Sequence, residues 1–217
     1  MIQKITLATL AFLCCSFFVN AQIKEGSILV GGQVYYANTT AKTSNSNASQ
    51  KQNYGAIDLS LGKAIKENTV LGIHLEFAPG TSNQVNNGSV IYKTKAIGYG
   101  AGVFYRRYKT LAKDFYFFIE GGVNFLYNQQ TTRDSAENKI QKITNSTAQI
   151  YLAPGISYKV LKNLHLEVSI PQLISLAYTN SKTSYLASRS SQNNISFQSN
   201  LNASTLNNLS VGFRLIF

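Results

Sequence analysis

Two histidine–carboxylate pairs stand out as residues whose spacing could support chemistry. His74-Leu75-Glu76 and His165-Leu166-Glu167 repeat the same His-x-Glu pattern. On a β-strand, residues i and i+2 lie on one face, so each glutamate could orient its histidine or share a metal ion with it. Two histidines alone do not make a convincing metal site. We therefore expect no metal and no cofactor.

A second candidate is the acid pair Asp134 and Glu137, which lies in a polar segment without histidine. A carboxylate pair can serve acid–base catalysis, but on a polar segment it is more often a solvated charge pair. The only cysteines, Cys14 and Cys15, belong to a segment that we expect to be removed. Without a nucleophile beside a positioned base, we predict that the protein is not an enzyme.

The elements that would position these residues are strands, because apolar and polar residues alternate along nearly the whole chain. The best example is the C-terminus, where Leu209, Val211, Phe213, Leu215 and Phe217 share one face. Such alternation indicates a strand with two differently buried faces. We predict eight strands, at 27–37, 53–64, 69–79, 93–107, 115–127, 147–160, 163–178 and 204–217. Most are longer than the roughly 5–6 residues of a soluble strand and long enough to cross a bilayer.

The connections between these strands alternate in length. Short turns are predicted at 65–68, 108–114 and 161–162, and long polar segments at 38–52, 80–92, 128–146 and 179–203. Short turns at one end and long loops at the other, with both termini on the short side, are typical of outer-membrane barrels. We expect the turns and both termini in the periplasm and the long loops outside the cell.

The N-terminus has the features of a cleaved secretory signal at residues 1–21, which leaves a barrel domain at 22–217. Lys4 precedes an apolar stretch from Ile5 to Val19, and Ala21 offers a cleavage site before Gln22. A transmembrane anchor would need about 20 apolar residues. A lipoprotein signal would need smaller residues before the two cysteines than Phe12 and Leu13.

Composition separates a membrane protein from a soluble one. Charged residues make up only 13% of the chain, against about 25% in a soluble domain. The formal net charge is +11, but the basic residues are scattered and form no stripe along a phosphate backbone. We therefore expect no nucleic-acid partner and a basic exterior that faces anionic lipid head groups.

The direction in which the apolar face points distinguishes a membrane barrel from a lipocalin-like barrel, which would turn its apolar face inward. The polar face consists mostly of small residues, such as Gly62, Gly72, Gly100, Gly102 and Gly155. Small residues suit a narrow, filled barrel interior. The other face forms an apolar band, with aromatic residues near the strand ends that we assign to two girdles: Tyr36, Tyr54, Tyr127 and Tyr178 at the loop end, and Tyr105, Phe115, Tyr158 and Phe217 at the turn end.

The same alternation places charges inside the barrel. We expect a lumen charge network, structural or gating, made of Asp58, Glu76, Arg106, Glu120, Lys159, His165, Glu167 and Arg214, with His74 also facing inward. An unpaired charge in a water-poor interior is costly, so these groups should pair. A static plug is the favoured interpretation. A gate, in which a base switches acid partners, stays open as the alternative.

The whole pattern resembles the small eight-stranded outer-membrane β-barrel proteins of the OmpA/OmpX-like kind. Its sharpest local feature is the last strand, in which Val211, Gly212, Phe213, Leu215 and Phe217 are similar to the C-terminal signal of such proteins. The resemblance implies recognition by the barrel-assembly machinery. Ala21-Gln22 and the Asn-rich loops are similar to barrels of the Bacteroidota.

The expected function follows from this resemblance and from the absence of a catalytic pattern. We predict a Gram-negative outer-membrane protein that contacts membrane lipid and lipopolysaccharide. Its loops would serve a structural, adhesive or surface-recognition role toward an unknown extracellular partner. A narrow or gated pore for small solutes is the alternative, and an outer-membrane enzyme comes third.

Overall fold

The fold is an antiparallel β-barrel with no helix among the described residues. The computed structural model describes residues 23–42, 48–86, 89–185, 188–199 and 209–217. Its strands are β1 (Ile28–Lys42), β2 (Ala48–Lys66), β3 (Thr69–Asn86), β4 (Ser89–Ala112), β5 (Phe115–Asp134), β6 (Lys139–Leu161), β7 (Leu164–Ser169), β8 (Ile174–Tyr185), β9 (Arg189–Ser199) and β10 (Ser210–Ile216). The predicted signal, residues 1–21, lies outside the described residues.

The strands form a closed ring of eight at the end of the short turns, which we call the turn end. Hydrogen bonding runs from β1 through β2, β3, β4, β5, β6, β7 and β10 back to β1. Toward the opposite end, the hairpin end, β8 takes the place of β7 beside β6, and β9 pairs with β8. The predicted eight-stranded antiparallel barrel is thus confirmed. Within the described ranges, β1 beyond Val34 pairs only with β2.

The seventh predicted strand, 163–178, is wrong as a single unit because it divides into β7 and β8 at residues 170–173. Pro171 in this strand and Pro154 on the neighbouring β6 both lack the backbone N–H that a ladder needs. Ile170 still donates its N–H to the carbonyl of Pro154 at 3.0 Å, and Gln172 then takes a φ of 53°. The break therefore changes the direction of the chain about halfway along the barrel.

The four long polar segments were predicted as loops, but the structure extends the strands far into them. The ladder between β5 and β6 continues to Arg133 and Lys139, and β9 lies wholly inside the predicted loop 179–203. Of the predicted last strand, 204–217, residues 204–208 lie outside the described residues, and the remainder contains β10. Cross-strand hydrogen bonds and Thr–Thr pairs stabilise these extensions without an apolar face. Thr94 and Thr132 form one such pair at 2.9 Å.

An apolar cluster fills the lumen at the turn end. It comprises the buried side chains of Ile23, Leu29, Ala64, Val70, Phe104, Tyr108, Tyr116 and Phe118. The segment before β1 joins this cluster, because the N–H of Asn68 donates to the carbonyl of Ile23 at 2.9 Å. An eight-stranded barrel has room for side chains but not for an open channel, and here they occupy that room.

Large apolar side chains cover the outside of the barrel in a continuous belt. Leu59, Leu75 and Val103 are each more than half exposed, although they lie in the middle of their strands. An apolar patch of this extent on a closed sheet is stable only in lipid. The molecule is therefore a transmembrane barrel of the outer membrane. Within the described ranges, no helix is long and apolar enough to cross a bilayer.

The aromatic girdles are mostly on this outer face, with one correction. Tyr54 was assigned to the loop-end girdle, but it pairs with Gly80 across β2 and β3, on the face shared with Asp58. Its ring atoms come within 2.8 Å of where a Cβ on Gly80 would lie. Tyr54 therefore packs over a lumen glycine and does not face lipid.

Candidate functional site in the lumen

Three buried charges and one partly buried charge form the centre of the lumen, and we call them the lumen ion-pair cluster: Arg106, Glu167, Arg214 and the partly buried Glu120. Arg106 contacts both acids, with Nη2 at 2.6 Å from Glu120 Oε2 and Nη1 at 2.7 Å from Glu167 Oε2. Arg214 donates from Nε to Glu167 at 3.1 Å. Two bases thus meet two acids, and the cluster is neutral as a whole.

Neutral side chains complete the hydrogen bonding of this cluster. Tyr108 donates to Glu167 at 3.1 Å, and Tyr151 donates to Glu120 at 2.8 Å. Arg214 also donates to the hydroxyl of Ser60 at 3.3 Å. Since Arg106, Arg214 and Glu167 are at most 2% exposed, the loss of any partner would leave a buried charge unpaired.

Aromatic rings surround the guanidinium of Arg106, and Arg214 lies near one of them, Phe104. The guanidinium of Arg106 lies 4.2 Å from the ring centroid of Phe118 and 5.7 Å from that of Phe104. Such cation–π contacts favour arginine over lysine, because the planar guanidinium can stack and bind carboxylates at once. Together with the apolar cluster below, this layer closes the lumen.

A second, smaller group of polar residues lies above the cluster, toward the hairpin end. His74 Nδ1 is 2.7 Å from Asp58 Oδ2, and His74 Nε2 is 2.7 Å from Asn124 Oδ1. Glu76 lies opposite Asp58 in the β2–β3 ladder. No hydrogen bond or ion pair of the Glu76 side chain occurs within the described ranges. Asp58 and Glu76 are thus separate from the four-residue cluster.

The remaining expected members of the network, His165 and Lys159, are not part of the cluster. His165 accepts or donates a hydrogen bond with Ser157 at 3.0 Å and packs beside Tyr116 near the turn end. Lys159 lies opposite His165 in the β6–β7 ladder and is partly exposed at the same end. No group of three or more His, Cys, Asp or Glu residues that could hold a metal occurs in the described part of the chain.

A cavity of about 370 Å³ lies directly above the ion-pair cluster. Arg106, Glu120 and Arg214 line it from below, and Asp58, Glu76 and His74 line one wall. Ser169, Pro171 and Gln172, at the break between β7 and β8, line the opposite side. The break in the seventh strand therefore helps to form this space.

The acid pair Asp134 and Glu137 lies at the tip of the β5–β6 hairpin, far from any histidine. Asp134 Oδ1 accepts hydrogen bonds from the N–H groups of Ala136 and Asn138 at 2.9 and 2.8 Å. Desolvation raises the pKa of the Asp134 carboxyl, but the hydrogen bonds from Asn138 and Ala136 together outweigh it and lower this pKa below its usual value. Asp134 therefore closes a turn.

The predicted C-terminal signal lies on β10, between β1 and β7. Val211, Phe213 and Phe217 point outward and are exposed, whereas Gly212 faces the lumen beside Gln33. Leu215 is partly buried. An outward apolar row that ends in an aromatic residue would be accessible to a partner in the membrane.

The alternation placed Ser60 on the polar, inward face, but sequence reasoning missed the neutral partners Tyr108, Tyr151 and Asn124. Strand parity alone would have placed all of them on the lumen face, since each is an even number of positions from an inward charge on its strand or on the register partner. Strand parity does not give the position of each residue along the barrel axis, because that position depends on the stagger between neighbouring strands.

The sequence matches no protein-family model and no curated protein. Among solved structures, Neisserial surface protein A is similar over 89% of this chain and 100% of its own, with 13% identity and a TM-score of 0.41. A major outer membrane protein from Thermus thermophilus is similar over 88% and 98%, with 11% identity and a TM-score of 0.47. The outer membrane protein OprG from Pseudomonas aeruginosa is similar over 91% and 99%, with 14% identity and a TM-score of 0.44.

Proposed function

We propose that this outer-membrane barrel acts at the cell surface through its hairpins, in a structural, adhesive or recognition role, and that it neither catalyses a reaction nor conducts. Its partners would be membrane lipid and lipopolysaccharide around the belt, the barrel-assembly machinery at β10, and an unknown extracellular partner at the hairpins. We further propose that it is of the OmpA/OmpX-like, Bacteroidota type.

The observation that carries this proposal is the length of the hairpins beyond the lipid belt. The outward face of β5 changes from Tyr127 to Gln129 and Thr131, and its ladder with β6 continues to Arg133. Both strands also pair with their outer neighbours, β5 with β4 as far as Asp134 and β6 with β8 as far as Gln141. The barrel wall therefore continues beyond the belt as an ordered sheet that holds polar side chains in fixed positions, which is suited to recognition. Below it, the ion-pair cluster and the apolar cluster fill the lumen.

The test trims one hairpin and leaves the membrane part intact. In the variant, a two-residue turn replaces residues 129–144 and joins Asn128 to Asn145, which are register partners. Cells that display either protein would be compared for adhesion to immobilised glycans and matrix proteins, and for sensitivity to bile-type detergents. We expect the trimmed barrel to keep its heat-dependent gel mobility and to lose one of these properties. Unchanged adhesion and unchanged detergent sensitivity would contradict the proposal.

The cavity above the cluster favours one second candidate, a narrow or gated conduit. A path to the periplasm would require Arg106 or Arg214 to exchange its acid partners, at the cost of exposing buried charges. Planar-bilayer recording separates the two proposals. We expect no discrete current. Discrete currents that change in Glu120→Gln or Arg214→Ala would favour the conduit. Lipid or peptide turnover that is lost in His165→Ala or Asp134→Asn would favour an enzyme.

A further inference from the structure

The cavity above the ion-pair cluster has a charge imbalance that the cluster does not share. In the cluster, each arginine contacts a glutamate and each glutamate contacts an arginine. On the cavity wall, Asp58 and Glu76 are register partners on β2 and β3, and the nearest base is His74. The wall therefore carries acids that the arginines below do not neutralise.

His74 accounts for one of these acids. Its Nδ1 lies 2.7 Å from Asp58 and its Nε2 lies 2.7 Å from the side-chain oxygen of Asn124. An ionised carboxylate can only accept, so Nδ1 is the nitrogen that donates to Asp58. Asp58 thus has a hydrogen-bonded partner in His74, and Glu76 is left facing the cavity without a hydrogen-bonded partner in the described part of the chain.

A second, independent feature lies on the opposite side of the cavity. Ser169 is 4% exposed and lines the cavity from the end of β7. Its hydroxyl makes no hydrogen bond to another described side chain. Buried polar groups are usually paired, so a nearly buried hydroxyl that faces the cavity opposite an unpaired carboxylate indicates a place for a polar occupant.

We propose that this cavity binds a small organic cation, an alkylammonium or guanidinium compound that enters from the hairpin end. Glu76 accepts the charged N–H groups and Ser169 binds a second polar group of the ligand. The volume of about 370 Å³ is within the range of small-molecule sites, about 300–1,000 Å³. A bare metal ion fits less well, because no group of three ligating residues occurs within the described ranges.

The experiment uses the full barrel, ¹⁵N-labelled in lipid nanodiscs, and titrates it with n-butylammonium chloride. Sodium butyrate and butanol serve as the anionic and neutral probes of equal length. We expect the amide signals of Gly100 and Gly102, which flank Glu76 and His74 across the β3–β4 ladder, to shift with n-butylammonium only. Equal shifts with butyrate or butanol, or no shifts at millimolar concentration, would overturn the proposal.

Three variants connect the binding to the cavity. Glu76→Gln should weaken n-butylammonium binding about ten- to a hundred-fold, because a charge-assisted hydrogen bond is lost. Ala56→Leu should block binding by filling the cavity while both carboxylates remain. Glu137→Gln, which removes a carboxylate at an exposed hairpin tip, should change nothing. The proposal fails if Glu76→Gln binds n-butylammonium as tightly as the unmodified barrel or if Ala56→Leu still binds it, and a retained heat-dependent mobility shift verifies that each variant is folded.

Discussion

Glu167 accepts hydrogen bonds from Arg106, Arg214 and Tyr108, and it is 1% exposed. Removal of its charge would leave Arg214 without its acid partner and Arg106 with Glu120 alone. Breaking a buried pair from one side typically costs about 3–5 kcal/mol. Substitution of Glu167 therefore tests whether the ion-pair cluster stabilises the barrel.

We predict that Glu167→Gln lowers the free energy of unfolding by about 3 kcal/mol. Urea titration in lipid vesicles, followed by gel mobility, measures this change. Glu137→Gln is the control, because its pair with Arg133 is exposed and 3.8 Å long, and such pairs contribute about 0–1 kcal/mol. Similar stabilities for the two variants would argue against a stabilising cluster.

Asp134 gives a prediction with a pH dependence. Its folded-state pKa lies below the usual 3.8, so its stabilisation of the turn is present above the unfolded-state pKa and is lost as pH falls through the folded-state pKa. We expect the amide of Asn138 to exchange faster with solvent below that pH. In Asp134→Asn, the exchange rate of the Asn138 amide should show no such increase at this pH. An acid step that persists in the variant would contradict this assignment.

At the level of strands, the lumen face alternates large side chains with glycines that make room for them. A Cβ on Gly155 would clash with the ring of Phe118 and lie 2.7 Å from the carbonyl of Val168. A Cβ on Gly31 would lie 3.1 Å from the guanidinium carbon of Arg214. These glycines are required because the neighbouring strand carries a bulky group at the same height.

We predict that Gly155→Ala destabilises the barrel by about 1–3 kcal/mol through overpacking. Gly121→Ala is the matched control on the adjacent strand, since the nearest atom to its Cβ would be 3.6 Å away. Both variants can be compared by thermal unfolding in the same detergent. Equal melting temperatures would mean that the lumen side chains rearrange to accommodate the added methyl group more easily than their geometry indicates.

The last strand carries a prediction about assembly. Phe217 is 64% exposed at the end of the outward row on β10, so its loss should affect stability little. We expect Phe217→Ala to lower recovery from outer membranes several-fold and to refold normally from urea into vesicles. Phe197→Ala, at a similarly exposed aromatic residue on β9, is the control. Normal recovery of Phe217→Ala from outer membranes would show that Phe217 is not part of the assembly signal.

The whole molecule is organised as a filled barrel inside an apolar belt, with polar extensions of its strands at one end. Its membrane insertion depends on the belt. Leu59 is 58% exposed in the middle of β2, where lipid tails are its only suitable solvent. Gln129 shares the outward face of β5 but lies beyond the girdle residue Tyr127.

We predict that Leu59→Arg makes folding into bilayers less favourable by about 2–4 kcal/mol, as expected for a lipid-facing charge at the midplane. Gln129→Arg should cost about 0–1 kcal/mol, because its position is near the interface. Folding into vesicles of fixed lipid composition compares the two. An equal cost at both positions would mean that the belt is displaced from its assigned height.

Period-two alternation was sufficient to predict the eight-stranded barrel, its antiparallel order, its short turns and its outward apolar face. It also placed Arg106, Glu120, Glu167 and Arg214 inside. Alternation is a local property of the backbone, so one chain carries it in full. It was insufficient for strand ends, because Asn- and Thr-rich segments can extend a ladder without any apolar signal.

The tertiary structure alone decided which inward charges meet. Strand stagger brings Glu167 on β7 between Arg106 on β4 and Arg214 on β10, and it leaves Lys159 and His165 near the turn end and Glu76 above the cluster. Contacts across a lumen depend on the summed offsets of all intervening strands. The faces of the strands were thus readable from sequence, whereas the partners across the barrel were set by closure of the sheet.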